Sequence, residues 1–188
     1  SSTPTIRLSD VVAVGEATIV YDKEGNEIDQ YVSTNSNRLS VGMDEIPDYL
    51  GKAFVAIEDE RFYQHNGIDV KGILRAGYQF IKTGGEEAQG ASTITQQLLK
   101  NTVFTDWTSE GNNKIKKIKR KIQEQYLALE ITKYYSKDEI LLRYMNAINL
   151  GQNTLGVESA SLRYFGKHCS DLTISECAVI ASITQNPS

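Results

Sequence analysis

A mainly α domain with a small β element at its N-terminal edge is the fold class this sequence predicts, and three observations predict it. After about residue 45 the apolar residues recur at helical spacing, and the breaks between those runs are short. Three runs open on a Ser or Thr followed three residues later by Glu or Gln, the spacing of a capping box: Thr93 with Gln96, Ser136 with Glu139, and Thr173 with Glu176. Strand-like alternation is confined to residues 17–33. There Thr18, Val20, Ile28, Tyr31 and Val32 flank Asp22–Asn26 and read as a β-hairpin with a Gly-containing turn.

The totals agree with a folded domain. A chain of 188 residues is one large domain or two small lobes and can bury a real core. We divide it into an N-terminal linker and hairpin, 1–40, and the main domain, 41–188. Apolar and charged fractions of 40% and 23%, with three prolines, are those of an ordinary globular protein. The net charge of −4 argues against nucleic acid as a partner, although Lys114 to Lys121 holds six basic residues in eight. Two cysteines, Cys169 and Cys177, are too few for a disulfide framework, and Cys177 sits where a buried small hydrophobe belongs. No apolar run approaches the roughly 20 residues of a membrane span. The opening Ser-Ser-Thr-Pro reads as a boundary within a longer protein.

Pro47 suits the first helix, whose inward face is Leu50, Ala53, Phe54 and Ile57. Asp69 is the expected N-cap of a second helix, with Ile73, Leu74, Gly77, Phe80 and Ile81 inward. Gly84–Gly90 reads as a flexible loop. The third helix spans 92–100, with Ser92 or Thr93 as its cap. After a polar loop at 105–113 the longest helix covers about 113–134, with Ile115, Ile118, Ile122, Tyr126 and Leu129 as its core stripe. Val157, Ala160 and Tyr164 mark a further helix, ended by Gly166.

The stretch Ser92–Asn101 is least explained by packing. Its apolar stripe is modest, and it carries a rail of hydroxyls and amides ending in Lys100, a surface suited to a hydroxylated, anionic substrate. Glu58 closes an apolar helix face beside Asp59 and Glu60. Lost hydration and like charges there would raise its pKa toward neutrality, as a general base or acid requires; a solvated acidic helix end is the alternative. Arg120 and Glu124 share a helix face, either at the core border or as a surface ion pair. The basic run reads as a phosphate-attracting rim, a face for anionic lipid, or a solvated surface. The two histidines and two cysteines form no metal-ligand cluster, and no nucleotide-type Gly-rich loop is present.

Taken together, several stretches resemble the peptidoglycan glycosyltransferase domain of class A penicillin-binding proteins. Glu58-Asp-Glu-Arg-Phe-Tyr-Gln-His-Asn-Gly67 is similar to its first motif, and Gly90-Ala-Ser-Thr-Ile-Thr-Gln-Gln-Leu-Leu-Lys-Asn101 to its second. Arg120-Lys-Ile-Gln-Glu124, Ser136–Leu141 and Tyr144-Met-Asn146 resemble the third, and residues 162–187, with Tyr164-Phe-Gly-Lys167, the later ones. Ala91, where the family often has Gly, and Asn66, at a variable position, are mild departures.

The resemblance implies a lysozyme-like helical head lobe beside a smaller jaw lobe that dips toward the membrane. It also implies polymerisation of lipid II into β-1,4-linked glycan strands, with inversion and release of undecaprenyl pyrophosphate. Glu58 would be the general base and Glu124 the second essential glutamate, orienting Arg120 or a Mg²⁺ (or Mn²⁺) on the pyrophosphate. Lys100 and Arg120 would face that pyrophosphate. Asp59, Phe62 and His65 would shape the pocket, and Ser92, Thr93, Gln97 and Asn101 would bind sugar hydroxyls and phosphate. Gly84–Gly90 is the candidate flap. The expected setting is the extracytoplasmic face of a bacterial plasma membrane, with an N-terminal anchor helix and a C-terminal transpeptidase domain outside this sequence. A lysozyme-like glycan hydrolase and a non-catalytic wall-binding module are the competing readings.

Overall fold

A computed structural model describes residues 18–21, 27–31, 39–84, 90–103, 114–152 and 154–185. Strands β1 (Thr18–Tyr21) and β2 (Glu27–Tyr31) pair antiparallel, Thr18 opposite Tyr31, with an irregularity between Val20 and Tyr21. The turn expected between them, the loop at 105–113 and most of Gly84–Gly90 lie outside the described residues.

The rest of the described chain is helical: α1 (Asp48–Glu58), α2 (Val70–Lys82), α3 (Ile94–Thr102), α4 (Lys114–Tyr134), α5 (Lys137–Ala147), α6 (Val157–Phe165) and α7 (Ile174–Ile183). All three capping boxes form, on α3, α5 and α7. Each satisfies two otherwise orphaned N–H groups and is worth about 1 kcal/mol. Asp69 caps α2 by accepting from Gly72 N, and Gly166, at φ 67°, ends α6 in the left-handed conformation. Pro47 is one position earlier than expected, at the cap rather than inside α1.

The core lies where α1 meets α7 and where α3 meets α5 and α4. Leu50, Phe54, Ile94, Leu99, Ile140, Tyr144, Met145 and Ile180 are fully buried there, with Phe54 edge-on to Tyr144 at 5.6 Å. Cys177 is a buried free thiol, as its spacing suggested. Residues 39–46 are sewn to this core by Asn146, whose Oδ1 accepts from Val41 N (3.0 Å) and whose Nδ2 donates to Val41 O (2.9 Å).

Two helices correct the sequence reading. On α4 the expected core stripe faces outward: Ile115, Ile118, Ile122 and Tyr126 are each 60% exposed or more, and Leu129 is also exposed. The inward face is instead Arg120 (8% exposed), Glu124 (7%), Ala128 and Ile131. Packing chose the face that offers a small residue for close approach and polar groups with waiting partners, and the wider apolar stripe was left over. On α2, Leu74, Phe80 and Ile81 are likewise exposed, Ile73 marginally so, and Gly77 as well. Ile57 of α1 is exposed too, because the helix ends one residue later at the cleft.

A clasp joins α6 to the turn after it. The buried Glu158 carboxylate accepts from Cys169 N (2.8 Å) and pairs with His168 Nδ1 (2.5 Å), while Cys169 Sγ reaches Glu45 O. Burial opposes ionisation of Glu158, but the Cys169 N–H and His168 together hold it below the usual carboxylate range. Glu158 raises the His168 pKa above its ordinary 6.5, with Asp171 and Glu45 acting in the same direction. Stability from the imidazolium is therefore fully present below about pH 6.5 and is lost as pH rises through the raised folded value. We expect the melting-temperature advantage of the native protein over His168→Gln to shrink as pH is raised from about 6 upward. A difference that does not change with pH would show the pair to be uncoupled from folding.

Candidate active site

The end of α1 sends two neighbouring carboxylates into different surroundings. Asp59 turns inward, pairing with His65 Nε2 (2.8 and 2.9 Å) and accepting from Ile94 N (3.0 Å) at the start of α3. A carboxylate at a helix N-terminus meets both free N–H groups and the positive end of the dipole. Phe62 packs beneath, fully buried, with Lys137 Nζ 4.4 Å above its ring centroid. Burial lowers the Lys137 pKa, and the charge of Asp59 opposes that shift.

Thr93 caps α3 and donates its hydroxyl to Gly67 O (2.6 Å). Gly67 has φ +91°, and a Cβ there would lie 2.1 Å from Ala128 O. The glycine is therefore what lets the segment after α1 pass against α4. Asp59, Phe62, His65 and Thr93, which the motif reading set around the pocket or on the substrate, are tied to one another's elements by these contacts within the protein.

Glu58, half-buried, faces a cleft of about 690 Å³. Its Oε2 accepts from Gln97 Nε2 (2.7 Å). The preceding residue, Gln96, serves the other glutamate. Its Oε1 closes the capping box on Thr93 N (3.1 Å), which leaves its Nε2 to donate to Glu124 Oε1 (3.0 Å). Successive residues on an α-helix point about 100° apart, so one helix end can hold two carboxylates on different walls. Tyr144 OH lies 3.4 Å from Gln97 Oε1, the orientation that turns the amide nitrogen toward Glu58. Burial, then the charges of Glu58 and Asp59, push the Tyr144 pKa far up, so it remains a neutral phenol.

The opposite wall is cationic. Lys100, Lys117, Arg120 and Lys121 line the same cleft, with Asn101, Asn149 and Thr184 nearby. Lys121 Nζ bridges Glu124 Oε1 (2.5 Å) and Ser92 Oγ (3.0 Å). Four cations against two carboxylates make a positive cleft in an acidic chain, the field that gathers an anionic ligand.

A family model described as Transglycosylase matches residues 24–188. The chain belongs to the transglycosylase family. Among curated relatives, it is 45% identical to penicillin-binding protein 1A of Clostridium perfringens over 99% of this chain and 26% of the relative. It is 49% identical to penicillin-binding protein 1A of Clostridium acetobutylicum over 90% of this chain and 21% of the relative. It is 41% identical to penicillin-binding protein 1F of Bacillus subtilis over 90% of this chain and 22% of the relative. The chain thus spans about a quarter of the length of the relatives it matches.

Within this transglycosylase-family domain, Glu58, Ser92, Gln97, Lys100, Asn101, Arg120 and Glu124, all singled out from the motifs, line one cleft. Sequence reasoning passed over Gln96, Lys121, Thr184 and Gln185. Gln96 carried a signal, since its capping-box partner was recognised, but a box says nothing of the amide's second bond. Lys121 was hidden in a run of lysines, most of which are exposed. Thr184 and Gln185 fall inside the stretch 162–187 that resembles the later motifs, but nothing local tied them to Glu58, which lies 126 and 127 residues away.

Gln96→Leu should cost about 1–3 kcal/mol in urea denaturation, because it strips a donor from a buried carboxylate. Gln97→Leu should cost less, since its partner is half-exposed and keeps other donors. The reverse order would overturn this assignment of the two amides.

Proposed function

We propose that this domain is a peptidoglycan glycosyltransferase that polymerises lipid II, with Glu58 as general base. The observation that carries the reading is one cleft holding an amide-held carboxylate on one wall and a cluster of cations on another. The acceptor sugar hydroxyl attacks the donor's anomeric carbon while Glu58 takes its proton. The pyrophosphate leaves from the opposite face, which gives inversion. Charge developing on that leaving group is stabilised by Lys100, Lys117, Arg120 and Lys121, the cations that line the cleft. Glu124, tied to Lys121 and Gln96, is the counter-charge that orders this wall.

Mg²⁺ or Mn²⁺ enters this reading only as an ion carried on the pyrophosphate. Glu124 is the one carboxylate on that wall, and one of its oxygens is already engaged twice. Among the described residues no three His, Cys, Asp or Glu side chains cluster as metal ligands. The residues fit a resident metal poorly. A glycan hydrolase is supported less well, since water attack on a glycosidic bond leaves no pyrophosphate for four cations to meet.

The exposed apolar faces of α2 and α4 support work at a membrane surface, on the extracytoplasmic side, where a lipid-linked substrate is found. No helix among the described residues is long and apolar enough to cross a membrane. A head lobe and a membrane-dipping jaw, a transpeptidase domain elsewhere in the protein, and sensitivity to phosphoglycolipids of the moenomycin type belong to the same proposal.

Glu58→Gln should abolish glycan strand formation from lipid II on a product gel, with the melting temperature nearly unchanged; substantial residual turnover would remove the base assignment. Ile118→Glu with Ile122→Glu should lower co-sedimentation with anionic lipid vesicles at least several-fold. Undiminished binding would move the membrane contact off α4.

A further inference from the structure

We infer that Thr184 and Gln185, at the C-terminal end of α7, are positioning residues for the base, and that they reserve Oε2 of Glu58 as the oxygen that takes the proton. The inference rests on the reading of Glu58 as that base.

Helices α1 and α7 pack together, and Glu58 ends the first while Thr184 caps the second. Helix C-termini carry partial negative charge, so a carboxylate held there needs donors to offset it. The donors reaching Glu58 are neutral and unevenly shared. Oε1 accepts from the Thr184 hydroxyl and from Gln185 Nε2 (2.7 Å), whereas Oε2 accepts from Gln97 Nε2 (2.7 Å). A carboxylate oxygen has two lone pairs in its plane, so Oε1 is filled and Oε2 keeps one site for an incoming O–H. Thr184 Oγ1 also lies 2.8 Å from Ala181 O, one turn back in α7, which fixes the side chain's rotamer. Its single proton is therefore divided between the helix carbonyl and Glu58.

The arrangement survives the reaction. The acceptor's O–H bond breaks and an Oε2–H bond forms, while the acceptor oxygen bonds the anomeric carbon and the pyrophosphate departs with the old C–O electron pair. Oε1 becomes the carbonyl oxygen of a neutral acid and still accepts from Thr184 and Gln185. Oε2, now a hydroxyl oxygen, still accepts from Gln97. None of the three donors has to move, so the base is pre-organised for both of its states.

The test is steady-state kinetics on lipid II for Thr184→Val, Thr184→Ser, Gln185→Leu and the double variant Thr184→Val/Gln185→Leu, with Glu58→Gln and melting temperatures measured alongside. Loss of base orientation should lower kcat about 10-fold in each of Thr184→Val and Gln185→Leu and on the order of 100-fold in the double variant, with KM within about twofold. Thr184→Ser, which keeps the hydroxyl, should restore most of kcat. Wild-type kcat in Thr184→Val and Gln185→Leu beside an inactive Glu58→Gln would overturn the positioning role and leave the base reading standing. A raised KM with unchanged kcat would make the two residues substrate ligands and also overturn it. Turnover by Glu58→Gln would remove the base reading itself.

Discussion

The divergence of Gln96 and Gln97 at the start of α3 is the interaction on which the cleft depends. One amide is committed to the capping box and so must give its nitrogen to Glu124; the other is turned by Tyr144 and gives its nitrogen to Glu58. An amide has one acceptor and one donor end, and fixing either end fixes the other. Two carboxylates from helices far apart in sequence are thereby indexed to a single helical turn. Asp59 completes the frame by accepting from Ile94 N, so α1 and α3 cannot shift independently.

Chemistry in the cleft follows from this division of charge. Glu58 is held by neutral donors from α3 and from the end of α7, while Glu124 sits among Lys121, Arg120 and the other cations. One carboxylate thus stands among neutral donors and the other among cations, surroundings of the kind that separate the behaviour of two neighbouring carboxylates. The scaffold residues of the first motif work a layer behind. Gly67 has no side chain because Ala128 O occupies the space, and His65 is used on Asp59.

The two amphipathic helices show how far a periodicity argument carries. Apolar spacing located α2 and α4 correctly, yet it assigned their apolar stripes to the core. Hydrophobic spacing reports that a face seeks an apolar neighbour, without saying whether that neighbour is protein. On α4 the choice turned on Ala128, small enough to meet Gly67, and on Glu124, which finds Gln96 only after α3 is in place. The exposed stripes are apolar surface that the described protein core leaves uncovered.

Local chemistry in the chain alone determined the helix starts, the three capping boxes, the glycine that ends α6 and the residues of the motifs, because each depends on neighbours within four positions. Resemblance to a family then marked Glu58, Lys100, Arg120 and Glu124 as belonging together. Only the tertiary structure decided which face of α4 is inward, which scaffold residues keep their polar atoms for the protein, and which donors reach Glu58. Those outcomes depend on hydrogen bonds such as Gln185 to Glu58, spanning 127 residues, whose geometry no local spacing encodes.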